Sequence, residues 1–193
     1  QKLANEICPL IREHRFTLDL HSTHCVGDVP FAFCDYPDVY NQKLIDALPV
    51  DFVLEGWPDI YGRQTEIRDF STEWCAHAYG NTATTLECGY HRDPQAAGLA
   101  YRAIVNALSA FGMVDLPLPA ARAKKHIRME NYVLKSKEGR LCRSYKHLDP
   151  VCKGERIALY DDGEALYALS DGFILLPNLQ APVNTCLLYT SPS

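Results

Sequence analysis

Three side chains have the types and spacing to do chemistry together. Asp19 and His21 stand two residues apart in "FTLDLHSTH" (16–24), and Glu87 stands in "TATTLECG" (82–89). An imidazole and a carboxylate meeting at neighbouring strand ends can bind a metal and run acid–base chemistry on its bound water. Zinc takes His, Cys, Asp or Glu ligands, and a catalytic site keeps one position open for that water. Asp19, on the same strand face as His21, is the group that would orient the imidazole. Gly89, two residues beyond Glu87, leaves room for a close backbone approach.

Taken alone these residues support a metal site and no more. A histidine at a strand end is commonly an ordinary polar residue, and a carboxylate there is commonly a cap or an ion-pair partner. A rival set, His21, His24, Cys88 and His91, would make a closed structural zinc site with no room for chemistry. Strand parity speaks against it, because Cys88 points away from the face that Glu87 uses.

The elements that must position these groups can be read from periodicity. In "FTLDLH" Phe16, Leu18 and Leu20 alternate with Thr17, Asp19 and His21, the period of a half-buried strand. A loop follows, then a helix over "DVYNQKLIDALP", where Val39, Leu44, Ile45 and Leu48 have roughly helical spacing. "VDFVLEGW" reads as a strand. "DFSTEWCAHAYG" reads as a helix, with Ser71 or Thr72 as N-cap and Gly80 as stop. "TATTLECG" is a strand rich in β-branched threonine. "DPQAAGLAYRAIVNALSAFG" is a helix with Asp93 at the cap and Pro94 at the first helical position. Alternating strands and helices predict an α/β fold with a mostly parallel sheet flanked by helices. Ligands of such sheets bind outside the carboxyl ends of the strands, where His21 and Glu87 lie.

After "MVDLPLPAARAKK" the texture changes to short strands between glycine and charged turns: "HIRMENYVLKS", "GRLCRSYKHL", "ERIALYDD" and "ALYALSDGFILLP". The expected organisation is an α/β part over 1–115, a linker over 116–123 and a small all-β module over 124–184. Residues 185–193, "TCLLYTSPS", resemble translated adapter or vector sequence, complete no element, and are set aside.

With 193 residues and a net charge of −5, the chain can bury a real core. Its longest basic run is the short Lys124-Lys125, so nucleic acid is not an expected partner. No apolar run approaches the roughly 20 residues of a spanning helix, so no membrane partner is expected. The eight cysteines include no C-x-x-C pair and read as buried or reduced thiols, which suits a cytoplasmic protein.

The combination "TLDLHST" … "TTLECGYHRDPQAAGLAYRAI" resembles the succinylglutamate desuccinylase/aspartoacylase family, relatives of the zinc carboxypeptidases, over residues 10 to 112. The stretches "VCKGERIALY" and "DGFILLP" resemble that family's barrel-like C-terminal domain. The resemblance implies one zinc ion per site, with His21 as the third ligand and Glu87 as general base. It implies hydrolysis of an amide in an N-acyl amino acid or related small carboxylate. The alternatives are a carboxypeptidase-like peptidase and a non-catalytic binding protein that keeps the fold.

The resemblance also implies a substrate carboxylate held by arginine, whose planar fork suits that job. The candidates are Arg63 and Arg68 in "GWPDIYGRQTEIRDF", with Tyr61 as a hydroxyl donor, and Arg92 after "ECGYH". Tyr90 departs from the smaller or amide-bearing residue that relatives carry there. The family's first two ligands lie in an H-x-x-E motif upstream, which "QKLANEICPLIREHR" does not offer. The expectation is therefore a fragment of a longer enzyme, inactive by itself. The β-module either covers the cleft or builds a homo-oligomer interface.

Overall fold

The structure is a computed structural model that describes residues 2–62, 71–120, 122–178 and 180–192. The chain divides into two compact units, one of residues 1–24 and 29–127, the other of 25–28 and 128–193.

In the first unit the elements run α1 (Lys2–Glu13), β1 (Phe16–Thr23), β2 (Phe31–Phe33), α2 (Val39–Ala47), β3 (Phe52–Glu55), α3 (Trp57–Gly62), α4 (Thr72–Ala78), β4 (Thr82–Tyr90), α5 (Pro94–Ala110) and β5 (Lys125–Arg128). The strands form one sheet in the order β1-β4-β2-β3-β5. The fold is mixed α/β, and the sheet is less parallel than expected. The pairs β1·β4 and β2·β3 are parallel, but β2 meets β4 antiparallel. Only seven residues separate β1 from β2. A parallel return needs a crossover of about a dozen residues or more, so the chain must double back. β2 itself, read as loop from the sequence, has three residues, too few to show a period of two. Its residues Phe31, Ala32 and Phe33 are all buried.

The two sheet faces bury different cores. On one face Ala32, Leu86 and Cys88 pack with Ile45, Leu48, Leu99 and Ala103 from the α2 and α5 side, joined by Leu18. On the other face Ala83 packs with Ile11 of α1 and with Cys75 and Ala76 of α4. The cap residues explain where these helices start. Asp38 accepts the Tyr40 and Asn41 amides at 2.7 Å each, Ser71 accepts the Trp74 amide at 3.0 Å, and Asp93 accepts the Gln95 amide at 2.8 Å. Pro94 opens α5 as expected. α1 carries Pro9 inside it, which hides the helix from a pattern reading.

A disulfide joins Cys8 of α1 to Cys75 of α4, so two of the eight cysteines depart from the expected reduced state. Cys34 and Cys88 are buried free thiols, in line with that reading.

The second unit holds β6 (Asn131–Leu134), β7 (Gly139–Leu141), β8 (Asp149–Val151), β9 (Arg156–Tyr160), β10 (Ala165–Tyr167), β11 (Gly172–Leu175) and β12 (Cys186–Pro192). They form a three-stranded sheet, β10-β9-β7, and a four-stranded one, β6-β12-β11-β8. The pairs β10·β9, β9·β7, β6·β12, β12·β11 and β11·β8 are antiparallel. Among the described residues they do not close into the expected barrel-like form. The core between them gathers Tyr145, Val151, Ile157, Ile174 and Leu188. Contrary to the sequence reading, "CLLYTSP" completes an element. β12 is an inner strand, pairing with both β6 and β11, and Leu187 and Leu188 are buried.

Among the described residues no helix is long and apolar enough to cross a membrane.

Candidate functional site

β1 and β4 are parallel neighbours whose register pairs Asp19 with Thr85 and His21 with Glu87. Register partners in a parallel pair share a face, and residues two apart do as well. Asp19, His21 and Glu87 are therefore brought to one face near the carboxyl ends of the two strands. The opposite parity sends Leu18, Leu86 and Cys88 into the apolar core. Cys88 is buried there, so the rival set of His21, His24, Cys88 and His91 is not assembled.

The three side chains meet in a row. Asp19 Oδ1 lies 3.1 Å from His21 Nε2, and Glu87 Oε1 lies 3.6 Å from His21 Nδ1. The imidazole is thus flanked on both nitrogens, with Asp19 at one and Glu87 facing the other. Exposure is graded: the Glu87 side chain is 14% exposed and that of His21 52%. The carboxylate sits in the sheet and the ring reaches toward solvent. Glu87 has Phe31 of β2 as register partner on its other side, so it occupies an inner strand rather than an edge.

Just past Glu87 the ladder breaks. From the His21–Glu87 pair to the Thr23–Tyr90 pair, two steps of β1 face three of β4, an extra residue on β4. Gly89 absorbs it with φ +88°, a left-handed conformation open chiefly to glycine. This is a stronger role than the close approach expected for it. The bulge ends regular pairing where the site begins.

A further pairing at this edge was not foreseen. Ser22 Oγ lies 2.9 Å from His91 Nδ1, and the His91 amide donates to the Thr23 carbonyl at 2.8 Å. Ser22 and His91 meet at this bulge, and the signal that could have found it is Gly89, a lone glycine inside a strand pattern. A separate imidazole–carboxylate pair, His126 Nδ1 with Glu55 Oε1 at 2.6 Å, joins β5 and β3. Because β3 runs with β2 and against β4, Glu55 lies at the other end of the sheet from Glu87.

Of the arginine candidates, Arg92 is exposed in the turn between β4 and α5. Arg63 and Arg68 lie outside the described residues, as does the side chain of Tyr61. Among the described residues no group of three or more His, Cys, Asp or Glu side chains could hold a metal ion. A catalytic zinc takes three protein ligands. The described residues therefore do not by themselves make up a zinc site.

No family model matches the chain, and no curated protein sequence matches it. Solved structures do. The product-bound ectoine utilization protein EutE (DoeB) from Ruegeria pomeroyi superposes with a TM-score of 0.71 at 16% identity, over 95% of this chain and 60% of that one. Succinylglutamate desuccinylase from Vibrio parahaemolyticus gives 0.73 at 14% identity, over 99% of this chain and 60% of that one. The succinylglutamate desuccinylase/aspartoacylase from Rhodobacter sphaeroides gives 0.72 at 14% identity, over 99% and 61%. The chain thus spans about three fifths of the length of these proteins. Its fold is that of the succinylglutamate desuccinylase/aspartoacylase proteins.

Proposed function

We propose that this chain carries part of the site of an amide hydrolase, a deacylase acting on N-acyl amino acids or related small carboxylates. The observation that supports it is the row Asp19–His21–Glu87, with Glu87 Oε1 3.6 Å from His21 Nδ1. The names of the structural neighbours, desuccinylases and aspartoacylases, agree with that chemistry.

In this reading Glu87 is the general base. Its carboxylate takes a proton from the attacking water as the new C–O bond forms at the amide carbon. It then returns a proton to the amine nitrogen as the C–N bond breaks, so the base is regenerated. A mostly buried carboxylate, 14% exposed and facing a half-exposed imidazole, suits both steps. Asp19 holds the His21 ring so that Nδ1 faces Glu87. Of the three arginine candidates, Arg92, exposed in the turn after β4, would take the substrate carboxylate.

His21 is proposed as one zinc ligand, the other two coming from sequence outside these 193 residues. When bound, the ion would polarise the scissile carbonyl and bring the water pKa to roughly 7.

The test is a substrate panel on the protein extended through its upstream sequence. N-acetyl and N-succinyl amino acids are assayed beside a blocked dipeptide. Turnover of the acyl amino acids supports the deacylase. Turnover of the dipeptide alone would make it a carboxypeptidase-like enzyme. Binding without turnover of any would make it a binding protein.

A further inference from the structure

We propose that Thr72, at the start of α4, is a positioning residue that fixes the His21 ring through Asp19. Its consequence for catalysis rests on the deacylase reading; its structural part does not. The sequence marks Ser71 and Thr72 as alternative caps of one helix. The structure gives the cap to Ser71, whose Oγ accepts the Trp74 amide at 3.0 Å. The Thr72 hydroxyl is thereby released from capping, and it donates to Asp19 Oδ2 at 2.8 Å. The other oxygen of the same carboxylate, Oδ1, meets His21 Nε2 at 3.1 Å.

The pinning matters because an aspartate's terminal torsion is broad and roughly two-fold, so an isolated carboxylate does not present one oxygen in one direction. The Asp19 side chain is 25% exposed, wet enough to turn without such a partner. Threonine's branched side chain is stiff at its first torsion, which makes it a better post than a long polar chain. With Oδ2 held, Oδ1 is left for Nε2, and Nδ1 is turned toward Glu87.

The post itself is anchored. Glu73, next in α4 and 3% exposed, accepts the Thr85 amide at 2.8 Å. Thr85 is the register partner of Asp19. The first turn of α4 therefore fastens β1 and β4 at one level, one pleat below His21 and Glu87. Cys75 ties the same helix to α1.

The experiment compares Thr72→Val, which keeps the shape and removes the hydroxyl, with Thr72→Ser, which keeps the hydroxyl. On the 193-residue chain, side-chain proton–nitrogen NMR at one fixed pH reads the His21 ring. The expected result is a single Nε2–H form in the wild type and in Thr72→Ser, and an averaged signal in Thr72→Val. A Thr72→Val ring identical to wild type, or a Thr72→Ser ring as perturbed as Thr72→Val, overturns the proposal.

In the protein extended upstream, Thr72→Val is expected to lower zinc affinity or kcat about 10–100-fold with KM unchanged, and Thr72→Ser to restore most of it. Wild-type zinc affinity and kcat in Thr72→Val would overturn the positioning role. If the ring responds as expected while wild type hydrolyses no acyl amino acid, the deacylase reading fails and the positioning of His21 stands.

Discussion

His21 and Glu87 are register partners across the parallel pair β1·β4, with Nδ1 and Oε1 3.6 Å apart. A side-chain period of two makes this relationship brittle. A slip of one residue in either strand would send one partner into the apolar core and bring Leu20 or Leu86 to the site face. The bulge at Gly89 lies after Glu87, so it opens the site edge without disturbing that register.

The disulfide between Cys8 and Cys75 closes a separation of 67 residues. Such cross-links typically contribute about 2–4 kcal/mol. Reduction with dithiothreitol, or the double substitution of both cysteines by serine, should lower the unfolding free energy by about that amount. Urea titration with and without reductant measures it. Equal midpoints would show that the staple adds nothing to stability.

Asn41 is 1% exposed and joins α2 to β4 and to the residue that follows β2. Its amide donates to the Ala83 carbonyl and to Thr84 Oγ1, each at 2.9 Å, and its Oδ1 accepts the Cys34 thiol at 2.8 Å. Asn41→Leu keeps the volume and strands those groups in the core. The expected loss is about 2–4 kcal/mol, read from the chemical unfolding curve. A change under about 0.5 kcal/mol, the range of surface substitutions, would show that the network is dispensable.

Burial, then the neighbouring Glu55, Glu73, Asp35 and Asp38 carboxylates, push the Cys34 thiol up to about 12. At pH 8 it stays protonated and unreactive. A short iodoacetamide pulse followed by peptide mass spectrometry should label the exposed Cys142 and Cys152 and spare Cys34. Labelling of Cys34 at the same rate would contradict its burial.

His147, in the second unit, is 4% exposed, and burial pushes its imidazole down to about 4 from an ordinary 6.5. Its Nδ1 accepts the Leu176 amide at 3.1 Å, while its own amide donates to Asp28 Oδ1 at 3.3 Å. Between these two values the unfolded chain binds a proton that the folded one refuses, so stability rises with pH there. The contribution is complete above 6.5 and is lost as the pH falls from 6.5 toward 4, by on the order of 3 kcal/mol. His147→Gln, which keeps an acceptor for Leu176, should flatten the denaturation midpoint across that window. A variant as acid-sensitive as wild type would place the titrating group elsewhere.

The site was more legible than the frame around it. Asp19 and His21 announce a shared face by alternation alone, and Glu87 sits where a threonine-rich strand meets a glycine. Asp93 and Pro94 mark the start of α5 through cap chemistry that is local and strong. Other features depend on distant chain and leave little local trace. β2 is three residues long, so only its neighbours make it a strand. α1 hides behind Pro9. Residues 186–192 become a strand through partners on β6 and β11 that their own sequence does not name. Thr72 reads as one of two caps until the structure shows that Ser71 does the capping and Asp19 takes the other hydroxyl.

The measurement that tests the central claim most directly is turnover and zinc content of Glu87→Gln in the protein extended upstream. The account predicts wild-type zinc content with N-acyl amino acid hydrolysis reduced at least about 100-fold, the lower range for losing a general base. Hydrolysis within a few-fold of wild type would contradict it, because Glu87 would then be a structural carboxylate and not the base.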